Sequence, residues 1–597
     1  MIDLEKLQKI DAKIVTVGSY PAIFQSILDF DYISGKKEPS IKAIIATGRR
    51  YERYFWGRRE ILIPVFPDTQ SISDKTKESI NLFLNVSSAR RVLSSTSTIL
   101  NTLPNILGGV VFAEEVPEKQ SLELYELCQK TGKFIIGPSS VGLLIPNKIK
   151  LGAIGGTDYR QLIEANLFEK GSVAVFSASG GMTNEIINIV TSLGKRLSFS
   201  VHFGGDRFPI IQPVDAFKLA ENDKSTKTIV YYGELGGIDE YKIAQMLESK
   251  KITKTVICYI AGTISDLFET PPQFGHAKAM AQKNEETARA KRDALKQAGA
   301  KVAESFLEFV EMISDIPKDF KSEDMKDDII KNMDDRTHAL VASSISKDVD
   351  GKVMVLGEDL LSFSKTHSFA YIVSSLFLGK KAKSKEFEEF VDFVLRILVD
   401  HGPYMSGAVN TIVTARAGRD LVSSLATGIL TIGPRFGGAI NEAAGNWLDG
   451  ASRSVSASDF VEEFATAKKY ISGIGHRKYR IDLPDPRVEE LLKFTKNLKG
   501  EYSKFAKEVE KITVAKKGNL ILNVDGAIAA ILLDILSEKE GYSQKELKKL
   551  VDIEFFNALF VLSRSVGFIS HFLDQKRIDE GLFRLTEEQV ADATLDS

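Results

Sequence analysis

Short runs of β-branched residues alternate with amphipathic stretches through the first half of the chain. Such runs are typical of strands buried on both faces of a parallel sheet, and stretches such as SLELYELCQK are typical of the covering helices. The alternation predicts doubly wound α/β domains. The predicted strands are 12–17, 41–46, 60–66, 108–115 and 133–138 in a first series, and 172–179, 198–205, 227–234 and 254–262 in a second.

The pattern changes at PKDFKSEDMKDDIIKNMDDR, a charged segment that is poor in apolar residues. Because such a composition buries little apolar surface, we predict a linker there. Beyond it, apolar positions follow a helical period over stretches such as EFEEFVDFVLRILVD. We therefore expect two α/β domains, a linker and a mostly α-helical domain, at 1–160, 161–317, 318–336 and 337–597.

Composition narrows the possible partners and compartments. The 78 Lys and Arg nearly cancel the 80 Asp and Glu, so no global basic field attracts nucleic acid or acidic lipid. Cys128 and Cys258 form no metal-ligand spacing and fit a reducing compartment. The amino terminus has no apolar core of a signal peptide, and the longest apolar run, 527–536, is too short to span a bilayer. We expect a soluble, cytoplasmic protein.

The segment SASGGM follows a predicted strand and leads into a predicted helix. Free backbone N–H groups at such a helix start form an anion site, to which Ser177 or Ser179 can add a hydroxyl. The alternative is an ordinary N-cap followed by a turn. No P-loop motif occurs in the chain.

His276 lies in TPPQFGHAKAMA, after a predicted strand of the second series. Ligand sites in α/β proteins lie at this carboxyl edge of the sheet. A neutral imidazole can accept a phosphoryl group there if a carboxylate holds its other nitrogen, and Glu234, at the end of another strand, is the candidate. The alternative is a loop histidine with a structural hydrogen bond.

The helical domain carries polar residues beside glycines: His401, His476 and Asp525. A histidine and an aspartate suit proton transfer at a carbon next to a thioester, although each could instead be a capping or buried polar group. Arginines suit a substrate with several carboxylates, because guanidinium binds carboxylate in a bidentate manner. The candidate arginines are Arg477, Arg487, Arg564 and Arg584.

The motifs SASGGM, GELGG and FGHAKA, in that order, resemble the α-subunit of succinyl-CoA synthetase and the larger ATP-citrate lyase family. The resemblance implies that His276 is phosphorylated from ATP and that Glu234 orients it. It also implies that Ser179, Gly180 and Gly181 receive the phosphate.

Other segments resemble ATP-citrate lyases in particular. They include LDFDY, EILIPVF, GPSSVG and GGDRFP, and then DHGPYMSGAVNT, TIGPRFGGA, SGIGHRKYRIDLPDPR, NLILNVDG and LSRSVGFISHFLDQKR, which are similar to a citrate-synthase-like lyase domain. The implied fold is a Rossmann-like CoA-binding domain, a flavodoxin-like ligase domain and a mostly α-helical citrate-synthase-like domain.

The resemblance also implies roles in the helical domain. His401, Arg487 and Arg564 would hold the oxaloacetate end of citryl-CoA, with Arg477 as a further carboxylate ligand. His476 would take the hydroxyl proton, Asp525 would protonate the acetyl-CoA enolate, and Arg584 would reach a partner's site. Phe436 stands where citrate synthases carry a histidine in a P-L-H-G turn. Lys516 and Lys517 would bind CoA phosphates, or are a solvated pair.

The implied reaction converts ATP, citrate and CoA into ADP, phosphate, acetyl-CoA and oxaloacetate, through phosphohistidine, citryl phosphate and citryl-CoA. An ATP-grasp-type partner subunit would hold ATP and Mg²⁺, with no metal on this chain. Homo-oligomerisation through the citrate-synthase-like domain would give a tetrameric core. Two alternatives are a related enzyme for another hydroxy acid, and a non-catalytic regulatory or scaffold subunit.

Overall fold

A computed structural model describes residues 2–268, 272–273, 276, 279–319, 326–349, 351–433 and 437–591. The chain divides into two compact units, Met1–Leu340 and Val341–Ser597.

The first unit begins with a seven-stranded sheet in the order β3-β4-β2-β1-β5-β6-β7. All neighbours pair in parallel except β3 and β4, which form an antiparallel hairpin. The strands are β1 Ile14–Val17, β2 Ile41–Ile45, β3 Tyr51–Trp56, β4 Arg59–Phe66, β5 Leu82–Asn85, β6 Gly108–Val111 and β7 Phe134–Ile136. The predicted α/β class is confirmed, whereas the pattern did not predict β3 or β5.

A second seven-stranded sheet follows, in the order β14-β13-β12-β10-β11-β8-β9. Its strands are β8 Leu143–Ile145, β9 Ile149–Leu151, β10 Val173–Ser177, β11 Leu197–His202, β12 Thr228–Glu234, β13 Thr255–Ala261 and β14 Lys301–Val302. Strands β10 to β14 run parallel, so the carboxyl ends of β10, β12 and β13 meet at one edge. Strands β8 and β9 precede residue 160 yet pair in this sheet; the sequence-based domain bounds remain predictions.

Helices alternate with the strands of both sheets. They are α1 Leu4–Lys9, α2 Pro21–Ile33, α3 Asp74–Ser79, α4 Val92–Thr102, α5 Glu118–Thr131, α6 Tyr159–Glu164, α7 Gly180–Ser192, α8 Pro213–Asn222, α9 Asp239–Glu248, α10 Ala288–Gln297, α11 Phe306–Ser314 and α12 Lys326–Asp334. The longer helices, such as α4 and α7, bury one apolar face.

The described ends of the predicted linker pack on the first unit. At one end Asp319 accepts a hydrogen bond from the Ser172 hydroxyl at 2.9 Å. At the other, Arg336 donates to the carboxylate of buried Asp29 at 2.5 Å and to the Gly57 carbonyl at 3.1 Å. The segment therefore has ordered contacts at both ends, despite its charged composition.

The second unit is mostly helical, as predicted, and begins with a small antiparallel sheet that the pattern did not predict. Its strands are β15 Ser346–Val349, β16 Lys352–Val355 and β17 Glu358–Asp359. The helices are α13 Leu360–Thr366, α14 Phe369–Leu378, α15 Lys385–Ile397, α16 Ser406–Arg416, α17 Leu421–Ile429, α18 Ala439–Ser452, α19 Ala457–Thr466, α20 Pro486–Leu492, α21 Glu501–Lys516, α22 Val524–Glu538, α23 Gln544–Asp552 and α24 Phe555–Ile578.

Helix α22 is apolar on nearly all sides, and it forms the centre of the core of this unit beside Trp447. Helix α24 alone among the described helices is long and apolar enough to cross a membrane. A core helix of a globular protein meets the same criteria, and Phe556, Leu559 and Phe560 of α24 lie in this core. The two helices carry Asp525 and Arg564 into the unit.

Candidate active sites

His276 and Glu234 are hydrogen-bonded in the first unit. Glu234 ends β12, and its Oε2 lies 2.9 Å from Nδ1 of His276. The His276 side chain is 33% exposed and the Glu234 side chain is 16% exposed. In the neutral ring Nδ1–H donates to the carboxylate, so the Nε2 lone pair is free for a reacting group. The predicted partnership is therefore present in the geometry.

The pKa of His276 is raised above its ordinary value. The hydrogen bond from the ring to Glu234 is the largest cause, burial opposes it, and the negative charges of Glu234, Glu114 and Asp206 add to it. The carboxylate that orients the ring also favours its protonated form. Only the neutral ring offers a lone pair on Nε2, and the raised pKa shifts the formation of that ring to higher pH than in a free histidine.

Gly205 lies directly against the His276 ring. A Cβ atom at this position would come within 2.6 Å of Cδ2 of His276 and within 3.1 Å of Nε2. The glycine therefore permits the close approach of backbone and imidazole. The sequence contained it in GGDRFP, but the residue pattern did not link it to His276.

Ser179 is the N-cap of α7, which begins at Gly180. Its hydroxyl accepts a hydrogen bond from the Met182 N–H at 3.4 Å, as the N-cap alternative predicted. A Cβ at Gly181 would meet no atom within 4 Å, so the first turn is open on that side. The phosphate role of Ser179, Gly180 and Gly181 remains a prediction.

His202, which sequence reasoning missed, supports this helix start. Its Nδ1 accepts the Val141 N–H at 2.8 Å, so Nε2–H donates to the Ala178 carbonyl at 3.0 Å. Burial lowers its pKa to about 4 and keeps the ring uncharged. His202 thereby fixes the turn that precedes Ser179.

Arg487 and His401 meet in the second unit. Nη1 of Arg487 donates to Nδ1 of His401 at 3.2 Å. Asp485, the N-cap of α20, accepts from Nε at 3.0 Å and from Nη2 at 2.7 Å of the same guanidinium. Asp485 is buried, and sequence reasoning missed it because an aspartate before Pro-Arg resembles a simple helix cap.

Arg564 lies buried on α24 with two unpaired donors. Its Nε and Nη1 have no hydrogen-bond partner in the described part of the chain. Burial lowers its pKa, while the negative charges of Asp400 and Asp525 raise it. A buried guanidinium with free N–H groups is suited to bind an anionic group.

Asp525 lies in the first turn of α22, within electrostatic range of Arg487 and Arg564. Burial raises its pKa to about 6, and the charges of Arg487 and Arg564 oppose this shift. A carboxyl group with such a pKa can both give and take a proton near neutral pH. The acid–base role of Asp525 remains a prediction.

His476 is brought to the start of α22 by two glycines in contact. A Cβ at Gly526 would lie 2.4 Å from the Gly473 carbonyl oxygen. A larger residue at 526 would therefore keep the backbone segments at 473 and 526 apart. Nδ1 of His476 accepts the N–H groups of Lys478 and Tyr479, each at 3.0 Å. The neutral ring therefore carries its proton on Nε2 and acts there as a donor.

Four other predicted site residues have exposed side chains. They are Arg477, Arg584, Lys516 and Lys517, and the role of each remains a prediction. Phe436 lies outside the described residues. Within the ranges the structure describes, no three His, Cys, Asp or Glu side chains group as metal ligands.

Comparison with known proteins places the chain in a family. The family "Citrate synthase, C-terminal domain" matches residues 238–586. The rice protein "ATP-citrate synthase beta chain protein 1" is 36% identical over 95% of this chain and 96% of its own length. The mouse "ATP-citrate synthase" is 36% identical over 96% of this chain but 54% of its own length, so the chain spans about half of that relative.

Solved structures give the same result. The ATP citrate lyase from Methanothrix soehngenii, in complex with citrate and coenzyme A, is 35% identical with a TM-score of 0.50, over 98% of both chains. A mutant of the Methanosaeta concilii ATP citrate lyase, in complex with (3S)-citryl-CoA, is 34% identical with a TM-score of 0.51, again over 98% of both. The chain therefore belongs to the ATP-citrate synthase family.

Proposed function

We propose that this chain is the ligase and lyase subunit of an ATP-citrate lyase, which converts ATP, citrate and CoA into ADP, phosphate, acetyl-CoA and oxaloacetate. The observation that carries the proposal is the hydrogen bond between His276 and Glu234, because a phosphoryl carrier needs this arrangement and citrate-synthase chemistry does not. The cluster around Arg564 in the second unit supplies the cleavage chemistry.

In the ligase steps, Nε2 of His276 attacks the γ-phosphorus of ATP while Glu234 holds Nδ1–H. The start of α7, with Ser179, Gly180 and Gly181, receives the phosphoryl group after transfer. The group then passes to a citrate carboxylate, and CoA displaces phosphate from citryl phosphate to give citryl-CoA.

ATP and Mg²⁺ would be held by an ATP-grasp-type partner subunit. The name of the rice relative, a beta chain of nearly the same length, fits a two-subunit enzyme. The mouse relative, of which this chain covers 54%, fits the same activity on one longer chain. Citrate and CoA are the ligands that the Methanothrix structure names for its own protein.

In the lyase steps, Arg487, Arg564 and His401 hold the carboxylates of the oxaloacetate half. Nε2–H of His401 is directed away from Arg487, whose N–H occupies Nδ1, and so is available to the substrate. The free N–H groups at Nε and Nη1 of Arg564 can donate to anionic oxygens of the substrate.

Asp525 donates the proton that converts the acetyl-CoA enolate into acetyl-CoA. The family resemblance gives His476 the proton of the citryl hydroxyl. With Nδ1 occupied by two backbone N–H groups, His476 would contact that oxygen through Nε2–H. We therefore propose that the hydroxyl proton leaves to water and that Nε2–H of His476 stabilises the charge left on the oxygen. The carbon–carbon bond then breaks to give the ketone of oxaloacetate and the acetyl-CoA enolate.

The exposed residues complete the proposal. Arg584 would reach the active site of a second copy in a tetrameric core formed by the helical units, and Lys516 and Lys517 would contact CoA phosphates. The enzyme would work in the cytoplasm. Most homo-oligomers are symmetric, so each of two copies would contribute Arg584 to the site of the other.

A labelling experiment tests this function. The chain is mixed with an ATP-grasp-type partner subunit and Mg-ATP labelled in the γ-phosphate. We expect an acid-labile, base-stable label that His276→Ala abolishes. His338→Ala is the matched control, since His338 is an exposed histidine of the same unit, and it should keep the label. A label that survives in His276→Ala contradicts the proposal.

A comparison of substrates tests the alternative that the enzyme acts on a different hydroxy acid. With the partner subunit, Mg-ATP and CoA present, citrate should be cleaved to a short-chain acyl-CoA and an oxo acid, whereas malate and 2-methylcitrate should not. A preference for either of the latter would replace citrate in the proposal.

A further inference from the structure

The ammonium of Lys291 lies buried behind the phosphohistidine candidate. Lys291 is on α10 and only 1% exposed. Its Nζ donates to the carbonyl oxygens of Glu234 at 2.9 Å and Gly236 at 2.6 Å, and it lies 2.7 Å from Oε2 of Glu240. A lysine ammonium has three N–H donors, and three acceptors surround this one.

The lysine thus holds the backbone on both sides of Leu235. Other bonds fix the same turn: the Leu235 N–H donates to the Ala261 carbonyl at 3.0 Å, and the Gly236 N–H donates to the Glu286 carbonyl at 2.8 Å. These bonds fix the backbone at the end of β12, and therefore the Cα position from which the Glu234 side chain extends.

The Glu234 carboxylate itself has little other support. Its Oε2 contacts His276, while Oε1 is buried and has no hydrogen-bond partner among the described residues. Side-chain contacts therefore do not set the direction of this carboxylate. Its position depends on the backbone that Lys291 holds.

Glu240 keeps the ammonium in place. Its second oxygen, Oε1, accepts the Tyr231 hydroxyl at 2.8 Å, and the residue is buried on α9. A buried charge persists when it is paired and hydrogen-bonded. Lys291 meets both conditions through Glu240 and the two carbonyls, whereas Oε2 of Glu240 is its ion-pair partner at 2.7 Å and makes no hydrogen bond within the described residues. Lys291, Glu240 and Tyr231 together form a rigid support under the end of β12.

We propose that Lys291 is a positioning residue for the phosphoryl transfer: by holding the carbonyls of Glu234 and Gly236, it sets the Glu234 carboxylate against Nδ1 of His276. The proposal rests on the proposed function of His276. The reaction needs Nε2 within reach of phosphorus, and a displacement of about 1 Å can lower a rate by about a hundredfold.

The variant for the test is Lys291→Met with Glu240→Gln, which removes both buried charges together and leaves no unpaired carboxylate. Arg292→Met is the matched control. Arg292 is the next residue of α10 and is also buried, but it donates to the carbonyls of Ile260 and Glu304, not to the turn after β12. Thermal unfolding reports the loss of stability in each variant.

The readout is the single-turnover rate of His276 labelling in the full complex with partner and Mg-ATP, measured with and without Glu234→Gln. We expect the Lys291 variant to label about ten- to a hundredfold more slowly than wild type, and the loss to shrink to less than about threefold in the Glu234→Gln background, because both changes act on one carboxylate. Arg292→Met should label within about threefold of wild type.

Three results would overturn the proposal: wild-type labelling by the Lys291 variant, the same fold-loss in both backgrounds, or an equal loss in Arg292→Met. If the double variant does not fold, the single Glu240→Gln change, which keeps the lysine, is used instead. It must slow labelling by a smaller factor, and this loss must also shrink in the Glu234→Gln background. Absence of any label on wild type contradicts the proposed function instead, so the two failures are distinguishable.

Discussion

Nη1 of Arg487 donates a hydrogen bond to Nδ1 of His401 over 3.2 Å, and this contact decides what each side chain offers to a substrate. The imidazole must carry its proton on Nε2, because a guanidinium has only donors. The pKa of His401 is lowered by burial and by the positive charges of Arg487 and Arg564. His401 is therefore held neutral as a hydrogen-bond donor.

Arg487→Gln should weaken citryl-CoA binding. The change removes a charged donor to the substrate, a loss of about 1.5–3 kcal/mol, so KM for cleavage should rise about ten- to a hundredfold. Arg480→Gln, at an exposed arginine of the preceding loop that pairs with Asp482, is the matched control and should change KM far less. An equal rise in both variants would show that the buried cluster does not bind the substrate.

The pH dependence of cleavage should report Asp525. Its pKa in the free protein is raised to about 6 by burial, and cleavage uses the protonated form to supply the enolate carbon. As pH rises through this value the acid is lost, so kcat/KM for citryl-CoA cleavage should fall. The measurement is a pH–rate profile from pH 5 to 9 of the isolated chain, and a kcat/KM that rises over this range would contradict the assignment.

Gly205→Ala should impair phosphorylation selectively. The new Cβ would lie 2.6 Å from Cδ2 of His276, so the ring must move away from its position beside Glu234. We expect His276 labelling to slow by about tenfold or more, while cleavage of supplied citryl-CoA, which uses the other unit, keeps its rate. Labelling at the wild-type rate would mean that the ring position is not important for transfer.

Glu234→Gln should shift the pH profile of labelling. In the wild type the raised pKa of His276 places the midpoint above the ordinary 6.5, and the rate rises with pH because the neutral ring is the acceptor. The amide lacks the charge that raises this pKa, so the midpoint should move to lower pH and the maximal rate should fall. Rapid-quench labelling across pH gives both values. An unchanged midpoint would exclude the carboxylate as the cause.

Much of the first site could be predicted from local patterns. Glu234 and His276 follow β-branched runs that form neighbouring parallel strands, and the carboxyl ends of such strands meet at one edge. Lys291 could not be found in this way, because a single lysine on a charged helix gives no signal of burial. Its role depends on a contact with residues more than fifty positions earlier in the chain.

The second site was harder to predict because it depends on distant backbone contacts. The contact between Gly473 and Gly526 brings His476 to the start of α22, and no period in the sequence relates these positions. For the same reason the pattern could not predict that the Arg487 side chain is partly buried while that of Arg477 is exposed. Strands β3 and β5 were missed because the first is a partly exposed hairpin strand and the second spans only Leu82–Asn85.

In the proposed function, one chain carries a ligase unit and an independent lyase unit. The most direct measurement is cleavage of supplied citryl-CoA by the isolated chain, without ATP or a partner. We predict acetyl-CoA and oxaloacetate as products, no change in His276→Ala, and a loss of about a hundredfold or more in Asp525→Asn, which keeps the shape but removes the transferable proton. Wild-type cleavage by Asp525→Asn, or cleavage that requires His276, would contradict this account.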